Sequence, residues 1–188
     1  MSDNTLSTTP LALWLQTRFS ELYESVPPPE EADFKALFYS TFADNAWIYL
    51  NHEKMNEDKY LARFNSYNFA IKHAEVDWKE LVDASASGSG STNKVSRDLG
   101  SKRPSPFTDP PIQGGIVSGF FVVHRYMKFR IRASAAERLS YNTFSAKIEV
   151  KPNASPASDG SRLRITELMI TTVDKAAPIH FPGIHRTS

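Results

Sequence analysis

Three long segments in the second half of the chain alternate apolar and polar residues, and this pattern constrains the fold more than any other feature. The segments cover residues 116–133, 137–151 and 162–175. Because successive side chains of a strand point to opposite faces of a sheet, each segment predicts a long β-strand. The third is apolar on both faces, with Leu163, Ile165, Met169 and Val173 on one and Leu168 and Ile170 on the other. Such a strand lies inside a sheet that is covered twice, and a partner subunit is the simplest second cover.

Helical spacing dominates the first half of the chain, with two shorter strand patterns set into it. Apolar residues recur every three or four positions over residues 10–26, 30–42 and 56–69, which predicts three helices. Alternation over residues 46–52 and 72–82 predicts two strands. In the later strand the predicted apolar face is Ala74, Val76, Trp78 and Val82. The chain is therefore predicted to be an α+β domain in which N-terminal helices cover one strongly curved antiparallel sheet.

A break in all periodicity separates the two halves. Residues 84–115 contain the tracts ASASGSGSTN and KRPSPFTDPP, whose glycine, serine and proline content predicts a flexible insertion. Neither half alone forms a complete layered core, so we interpret this stretch as an insertion in a hairpin rather than a linker between domains. We expect a single domain over residues 10–175, with tails at residues 1–9 and 176–188.

Composition excludes several classes of function. The chain has 22 Lys and Arg against 21 Asp and Glu, so its formal net charge of +1 gives no general attraction to nucleic acid or to anionic membranes. It has no cysteine, which excludes disulfides, thiolate metal sites and a cysteine nucleophile. No apolar run approaches the roughly 20 residues that span a bilayer, and the N-terminus lacks a secretory pattern. We therefore expect a soluble cytoplasmic protein that binds neither nucleic acid nor membrane.

The order of the predicted elements, together with the helix-to-strand junction FADNAWI at residues 42–48, resembles the nuclear-transport-factor-2-like (NTF2-like) superfamily. That group includes the SnoaL-like polyketide cyclases, ketosteroid isomerase and scytalone dehydratase. Asn45 stands where the family usually has a second aspartate. The resemblance covers residues 10–175 apart from the insertion. It implies a sheet curled into a cone, helices that close the cone, an apolar pocket inside, and a homodimer formed through the outer face of the sheet.

The resemblance leaves the function open between a binding module and an enzyme. Ketosteroid isomerases carry an aspartate base in the first strand, and the matching position here is Leu50, which cannot transfer a proton. The histidine-containing stretch of scytalone dehydratase has no counterpart before the first long strand. We therefore predict a non-catalytic module that binds a small apolar or oxygenated metabolite in the cone, or a dimeric interaction module. The alternative is a SnoaL-like cyclase, isomerase or dehydratase, and neither hypothesis requires a cofactor or a metal.

Large apolar side chains are the candidates for ligand contact, because small-molecule pockets are concave and mostly apolar. The alternative is that these side chains only pack between the helices and the sheet. The candidates are Trp47, Tyr49, Phe64, Tyr67, Trp78, Phe129 and Met169.

Two residues are candidates for proton transfer. Glu167 lies among apolar residues of the third long strand, where a carboxylate must be paired, exposed or functionally tuned. The alternative to a general base is a salt bridge between Glu167 and an arginine of a neighbouring strand, such as Arg125. His73 shares a strand face with Glu75 and Asp77, and a histidine beside a carboxylate can act in acid–base catalysis. For this trio we favour a solvated face, and the spacing predicts no specific metal site.

Overall fold

The computed structural model of the chain describes residues 10–25, 31–68, 71–85, 114–128 and 137–176. In these ranges the chain forms three helices and six strands. The helices are α1 (Pro10–Glu24), α2 (Glu31–Thr41) and α3 (Glu57–Asn68). The strands are β1 (Phe42–Leu50), β2 (Glu53–Met55), β3 (Ile71–Ser85), β4 (Gly115–Met127), β5 (Glu137–Val150) and β6 (Leu163–Ala176). Each element except β2 corresponds to a predicted one, and none of the described helices is long and apolar enough to cross a membrane.

The six strands form one sheet in the order β2-β1-β6-β5-β4-β3. Neighbouring strands are antiparallel except β1 and β6, which run parallel, so the sheet is mixed rather than purely antiparallel. The sheet is curved and open, and the predicted α+β class is confirmed. β3 and β4 remain paired up to Ser85 and Gly115, at the two ends of the predicted insertion. Residues 86–113 of that insertion lie outside the described residues, as do residues 1–9 and 177–188 of the predicted tails.

The inner face of the sheet, which packs against the helices, carries the core. α1 buries Leu11, Leu15, Phe19 and Leu22, the positions whose spacing predicts this helix. On the sheet side Phe121 is fully buried, and its ring centroid lies 6.0 Å from that of Phe19. Burying an apolar side chain of this size stabilises a fold by about 1.5–3 kcal/mol. The buried inner-face residues include Ile48, Leu50, Val123, Phe144, Ala146, Ile148, Ile165, Leu168 and Ile170.

A β-bulge in β3 changes which of its residues face the core. The register of β3 against β4 shifts between Trp78 and Glu80, so the extra residue reverses the alternation beyond that point. Leu81 therefore packs against the core, while Val82 is 61% exposed. The predicted grouping of Val82 with Trp78 is wrong for this reason. Gly119 opposite the bulge is required by packing, since a Cβ there would collide with the carbonyl oxygen of Glu80.

A second irregularity divides the two apolar sets of β6. The register of β5 against β6 shifts between Lys147 and Ile148, whose partners are Glu167 and Ile165. The extra residue on β6 is Thr166, and residues after it have the opposite orientation from the one predicted. Leu163 and Ile165 are buried with Leu168 and Ile170, whereas Met169 and Val173 are exposed on the other side, here called the outer face. β6 is apolar on both faces as predicted, but its residues are distributed differently.

The junction between α2 and α3 depends on side chains that bind backbone groups. Asn45 has a φ of 64°, which asparagine tolerates better than most residues, at the point where β1 loses register with β6. The N–H of Ala46 there donates to Glu57 Oε1 at 2.6 Å. Asn56 caps α3, its side-chain oxygen accepting from the N–H of Lys59 at 3.0 Å. The contact between Ala46 and Glu57 fixes the middle of β1 against the start of α3.

Candidate functional site

A cavity lies between the inner face of the sheet and the helices α1 and α3. The empty space is about 450 Å³ including the part that opens to solvent, and the room for the centres of water-sized molecules is about 30 Å³. Room of this size fits roughly one or two waters, so a molecule the size of an aromatic ring could not lie wholly inside the cavity. The residues that line the cavity are Tyr23, Leu50, Tyr60, Arg63, Phe64, Arg125, Asn142 and Thr172.

One wall of the cavity is aromatic. Tyr23 comes from α1, and Tyr60 and Phe64 lie one turn apart on α3. The ring centroid of Phe64 is 4.9 Å from that of Tyr23 and 5.1 Å from that of Tyr60, and the two tyrosine hydroxyl oxygens are 3.4 Å apart. Burial, and after it the neighbouring Tyr23, raises the pKa of Tyr60 well above its ordinary value. The Tyr60 hydroxyl is therefore protonated and can both donate and accept hydrogen bonds.

The opposite wall is polar, because β4, β5 and β6 each place a polar side chain on the inner face. Arg125 Nη1 donates to Ser140 Oγ, and Ser140 Oγ donates to a carboxylate oxygen of Asp174. Arg125 also forms an ion pair with Asp174, with 3.4 Å between Nη1 and Oδ1. Ser140 is fully buried, and the Arg125 side chain keeps 11% of its surface exposed. These contacts hold the guanidinium in one orientation at the edge of the cavity.

Asn142 and Thr172 continue this wall toward β1. The Asn142 side chain donates to the carbonyl of Ser140 at 2.9 Å and accepts from the Thr172 hydroxyl. Asn51 binds the backbone of Thr172 twice, donating to its carbonyl at 3.2 Å and accepting from its N–H at 2.8 Å. Since both ends of the Asn142 amide are engaged, its orientation is fixed. The interior polar network is defined here as Arg125, Ser140, Asn142, Thr172 and Asp174.

The chemistry available in this cavity is hydrogen bonding and charge pairing against an apolar wall. Asp174 is a carboxylate beside the cavity, and a carboxylate is a potential proton acceptor. Among the described residues no group of three or more histidines, aspartates or glutamates is placed to hold a metal ion. The arrangement can therefore orient an organic molecule that has both an apolar part and a polar group.

Two of the candidate ligand-contact residues lie on the cavity side of the sheet. Phe64 lines the cavity. Trp78 instead packs in the aromatic core, with its ring centroid 4.8 Å from that of Phe121 and its Nε1 donating to Ser20 Oγ at 3.0 Å. Trp78 therefore packs between the helices and the sheet, which was the alternative to ligand contact. The side chain of Tyr67 and the whole of Phe129 lie outside the described residues.

The other three candidates lie on the outer face and do not line the cavity. Trp47 is 55% exposed, with Lys54 Nζ 4.0 Å from its ring centroid. Tyr49 and Met169 are partners in the β1–β6 register, and Met169 is 52% exposed. The alternation of β1 places Ile48 and Leu50 inside, which leaves Trp47 and Tyr49 outside. These three residues were predicted to line the pocket inside the cone, and that prediction is wrong because they lie on the outer face.

The two candidates for proton transfer also lie on the outer face. Glu167 is opposite Lys147 in the β5–β6 register, and Arg125 pairs with Asp174 instead of Glu167. Glu167 is therefore neither a general base inside the cavity nor the partner of Arg125. The bulge at Thr166 explains the misplacement, because it turns Glu167 away from Ile165.

His73 lies on the outer face of the edge strand β3, with 55% of its side chain exposed. Its Nε2 is 2.8 Å from Glu75 Oε1, and its ring stacks on that of Tyr126 with centroids 5.7 Å apart. Asp77 shares this face and contacts Lys79. The predicted common face of His73, Glu75 and Asp77 is present, and it is the solvated face that the sequence favoured.

Most residues of the cavity were not identified by the sequence analysis, although the sequence contains a signal for two of them. On β4 the inner face reads Val117, Phe121, Val123 and Met127, and Arg125 interrupts it. On β5 the face of Phe144, Ala146 and Ile148 continues backward to Asn142 and Ser140. A polar residue in phase with a buried apolar face must find a buried partner. Tyr23, Tyr60 and Arg63 on the helices give no comparable signal.

Comparison with known proteins bears on the fold. The sequence matches no family model and no curated protein. Among solved structures, the chain is similar to the hexachlorocyclohexane dehydrochlorinase LinA type 2, with 10% identity and a TM-score of 0.50 over 93% of each chain. Two NTF2-like proteins of unknown function also match, one from Exiguobacterium sp. 255-15 (15% identity, TM-score 0.41, 84% of this chain and 97% of that chain) and one from Pseudomonas aeruginosa (13%, 0.41, 86% and 96%). The similarity to LinA type 2, at 10% identity, shows the fold alone.

Proposed function

We propose that this chain, which has the NTF2-like fold, binds a small apolar or oxygenated molecule inside the cone without converting it. The fold is one that carries ligand binding or enzymatic activity. The observation that supports binding in this chain is the cavity with one aromatic wall and one wall formed by the interior polar network. Small-molecule sites have this composition, in which apolar surface supplies affinity and a few fixed polar groups supply orientation.

The fixed geometry of the polar wall favours binding. Ser140 and Asn142 are at most 1% exposed, and both are held by neighbouring strands rather than by loops. Polar groups that are already oriented lose little freedom when a ligand binds, so more of the contact energy appears as affinity. The neutral Tyr60 hydroxyl adds a donor and acceptor on the opposite wall.

The absence of the expected catalytic groups from the cavity is the reason to propose binding without turnover. The first-strand position that carries the base in ketosteroid isomerases is Leu50, which lines the cavity. Glu167 and His73 point to the outer face. A ligand in the cavity would therefore meet neither of the two proton-transfer candidates.

A second function is favoured by the position of Asp174. This carboxylate lies beside the cavity with Arg125 and Ser140 in contact, so a cofactor-independent isomerase, cyclase or dehydratase would use Asp174 as its base. LinA type 2, an enzyme by its name, is similar in fold. Conversion of a bound ligand by the wild-type chain, lost in Asp174→Asn while binding persists, would establish this alternative in place of the first.

The binding proposal is tested by filling the cavity from a position with a matched neighbour. Thr172 lines the cavity, whereas Thr171 is exposed on the outer face. Phenol, an apolar ring with one hydroxyl, is titrated into the isotope-labelled chain while backbone amide signals are followed by NMR. We expect signals of cavity residues to shift in the wild type and in Thr171→Leu, and not in Thr172→Leu. Shifts confined to the outer face, or equal binding by both variants, would contradict the proposal.

We also propose that a second copy of the chain covers the outer face, as the resemblance implies. Large apolar side chains are exposed there, and a partner on this face would remove their apolar surface from water. A sheet face can cover itself through a two-fold axis, so the same patch serves both partners. The exposed apolar residues of the outer face are Trp47, Val82, Ile116, Met169 and Val173.

The dimer is tested by light scattering at micromolar concentration. Val173→Lys places a charge on the outer face, and Leu13→Lys makes the same change at an equally exposed position of α1. We expect the wild type and Leu13→Lys to be dimers and Val173→Lys to be a monomer. A monomeric wild type would contradict the dimer and leave the proposal of ligand binding unaffected.

A further inference from the structure

A groove on the surface lies apart from the cavity, between α2 and the turn that joins β5 to β6 (residues 151–162). Its empty space is about 1690 Å³ including the part that is open to solvent. Leu37 and Tyr39 line it from α2, Pro156 from the turn and Arg164 from the start of β6, and it is called here the Arg164 groove. Among the described residues, the groove and the cavity share no lining residue.

Arg164 brings a buried positive charge to this groove. The residue is only 4% exposed. Its Nη1 donates to the carbonyl oxygen of Leu163 at 2.7 Å, and its Nη2 donates to that of Ser155. These two acceptors are neutral, and they use two of the five N–H groups that a guanidinium offers. An arginine stays protonated at neutral pH, so the guanidinium keeps its full charge despite these bonds.

The neighbouring buried arginine takes the nearby carboxylates. The guanidinium of Arg18 lies 3.0 Å from a carboxylate oxygen of Glu21 and 3.0 Å from one of Asp159. Burial, and after it the like charge of Arg18, lowers the pKa of Arg164. Asp159 and Asp44 act in the opposite direction with smaller effects. In the described part of the chain, neither of these carboxylates forms an ion pair with Arg164.

Two other charged residues line the groove, and neither neutralises Arg164. Lys151 is held by Glu149, with 2.8 Å between Nζ and Oε2. Asp44 is exposed, so water screens its charge. A buried charge costs free energy unless a counter-charge pairs with it. The bonds to two carbonyl oxygens tie the turn to β6, but this structural role supplies no counter-charge.

The class of anion follows from the charges and the lining of the groove. One unpaired positive charge matches one negative charge, and Asp44 opposes the second charge of a phosphate monoester. The planar fork of guanidinium donors matches the two oxygens of a carboxylate. The apolar surfaces of Leu37, Tyr39 and Pro156 are available to a hydrocarbon chain.

We propose that the Arg164 groove binds a small aliphatic monocarboxylic acid, with its carboxylate on the guanidinium of Arg164 and its chain against Leu37 and Tyr39. The carboxylate supplies the counter-charge that the described residues do not. This site goes beyond the ligand binding proposed for the cavity, and either site can be occupied without the other because they share no described lining residue.

The test compares hexanoate with hexanamide, which has the same size and shape but no charge. Each is titrated into the full chain, and binding is followed by NMR shifts of backbone amides in α2 and in the turn. Because charge-assisted hydrogen bonds are about twice as strong as neutral ones, we expect hexanoate to bind roughly tenfold more tightly than hexanamide. Hexyl phosphate is titrated in parallel, and we expect it to bind more weakly than hexanoate.

The role of the guanidinium is tested by Arg164→Gln, with Arg162→Gln as the matched control. Arg162 is exposed two residues earlier in the chain and is not among the residues that line the groove. We expect Arg164→Gln to weaken hexanoate about five- to tenfold and to leave hexanamide within about twofold. Arg162→Gln should change neither. Thermal unfolding verifies that each variant is folded.

A second variant keeps the proposal testable if Arg164→Gln does not fold. Asp44→Asn removes the negative charge beside the groove and leaves the guanidinium in place. We expect it to strengthen hexanoate about twofold, because repulsion between the two carboxylates is lost, and to leave hexanamide unchanged. Asp33→Asn, at an exposed position of α2 outside the groove, should change neither. A purely structural role of Arg164 predicts no such gain.

The outcomes separate this proposal from the one for the cavity. Equal binding of hexanoate and hexanamide overturns the carboxylate site, and so does tighter binding of hexyl phosphate. Unchanged hexanoate binding in Arg164→Gln, an equal loss in Arg162→Gln, or no gain in Asp44→Asn overturns it as well. Hexanoate shifts confined to the cavity would place the acid there instead. None of these results alters the outcome of the phenol titration, which tests the cavity alone.

Discussion

The two faces of this sheet are built from the same strands. A sheet usually has apolar residues on its buried face and polar residues on its exposed face, and here each face departs from that pattern. On β5 the inner face is buried and apolar at Phe144, Ala146 and Ile148, and then turns polar at Asn142 and Ser140. The outer face is exposed and yet carries large apolar side chains. These departures, rather than the average composition of each strand, are the basis of the two proposals, a ligand in the cavity and a second copy on the outer face.

The two departures differ in how the folded chain compensates for them. A buried polar group costs free energy unless it is hydrogen-bonded, and Ser140 and Asn142 each have partners on neighbouring strands. Exposed Met169 and Val173, at 52% and 49%, have no such compensation within a single chain, because apolar surface gains only when it leaves water. The inner departure is therefore compensated within one chain, whereas the outer one would be compensated by the second copy proposed above.

The largest expected difference between the faces is at two adjacent phenylalanines of β4. Phe121 is fully buried among aromatic rings, whereas Phe120 is half-buried on the outer face and stacks on Tyr141 with centroids 6.4 Å apart. We expect Phe121→Ala to lower the free energy of unfolding by about 3–5 kcal/mol and Phe120→Ala by about 1 kcal/mol in the monomer. Urea unfolding measures both.

Protein concentration sharpens this comparison. If a second copy covers the outer face, the loss in Phe120→Ala grows as the wild type is studied at higher concentration, since association stabilises the folded state by mass action. Equal losses for the two variants at every concentration would show that the faces are not energetically distinct.

The next largest difference concerns polar groups on the two faces of β5. Ser140 lies between Arg125 and Asp174 on the inner face, whereas Ser145 bonds to Ser118 Oγ at 3.0 Å on the outer face. We expect Ser140→Ala to lower the free energy of unfolding by about 1–3 kcal/mol, because it removes a buried shared partner from a partly exposed charge pair. Ser145→Ala should lower it by at most about 1 kcal/mol. A greater loss in Ser145→Ala would contradict the assignment of the network to the interior.

The sequence was sufficient to predict every described element except β2, and the α+β class, because these depend on periodicity. The helical spacing of α1, the cap at Asn56 and the long strands are local signals that tertiary packing reinforces. The short β2 and its turn were missed, since Asn51 and His52 adopt positive φ values of 49° and 70° without the glycine that usually marks such a turn.

The sequence was not sufficient to predict the site, because one extra residue in a strand reverses every side chain after it. The bulge at Thr166 moves Glu167 and Met169 to the outer face, and the pattern of β6 alone is compatible with either phase. The cavity also combines residues distant in the chain, such as Tyr23 and Thr172, whose proximity depends on how α1 lies across the sheet. Arg125 was the signal that the sequence offered, because this charged residue is in phase with the buried Val123 and the partly buried Met127.

The bulge in β3 provides a smaller difference between neighbouring residues. Leu81 packs against the core and lies opposite Gly119, while Val82 is 61% exposed. We expect Leu81→Ala to lower the free energy of unfolding by about 1–2 kcal/mol, less than for a fully buried leucine, and Val82→Ala by under about 0.5 kcal/mol in the monomer. Guanidinium unfolding measures both. A reversed order would mean that the alternation continues through Trp78 without a bulge.

The smallest difference is expected from charge pairs on the outer face, and it has a characteristic pH dependence. Glu149 lies between Lys147 and Lys151, each with its Nζ 2.8 Å from a carboxylate oxygen. Hydrogen bonds from Lys147 first and Lys151 second lower the pKa of Glu149. Because the pKa is lower in the folded than in the unfolded chain, the carboxylate stabilises the fold above about pH 4.3, and this contribution is lost as the pH falls through the folded-state pKa.

We therefore expect Glu149→Gln to lower the free energy of unfolding by at most about 1 kcal/mol at pH 6, and the gap from the wild type to shrink progressively below pH 4. Urea unfolding at a series of pH values measures this gap, and added salt should reduce it at pH 6 because exposed pairs are screened. A gap that stays constant down to pH 2.5 and is insensitive to salt would mean that Glu149 acts through packing. The outer face would then depend on contacts of the kind found inside the cone, and the distinction between the two faces would be weaker at this edge of the sheet.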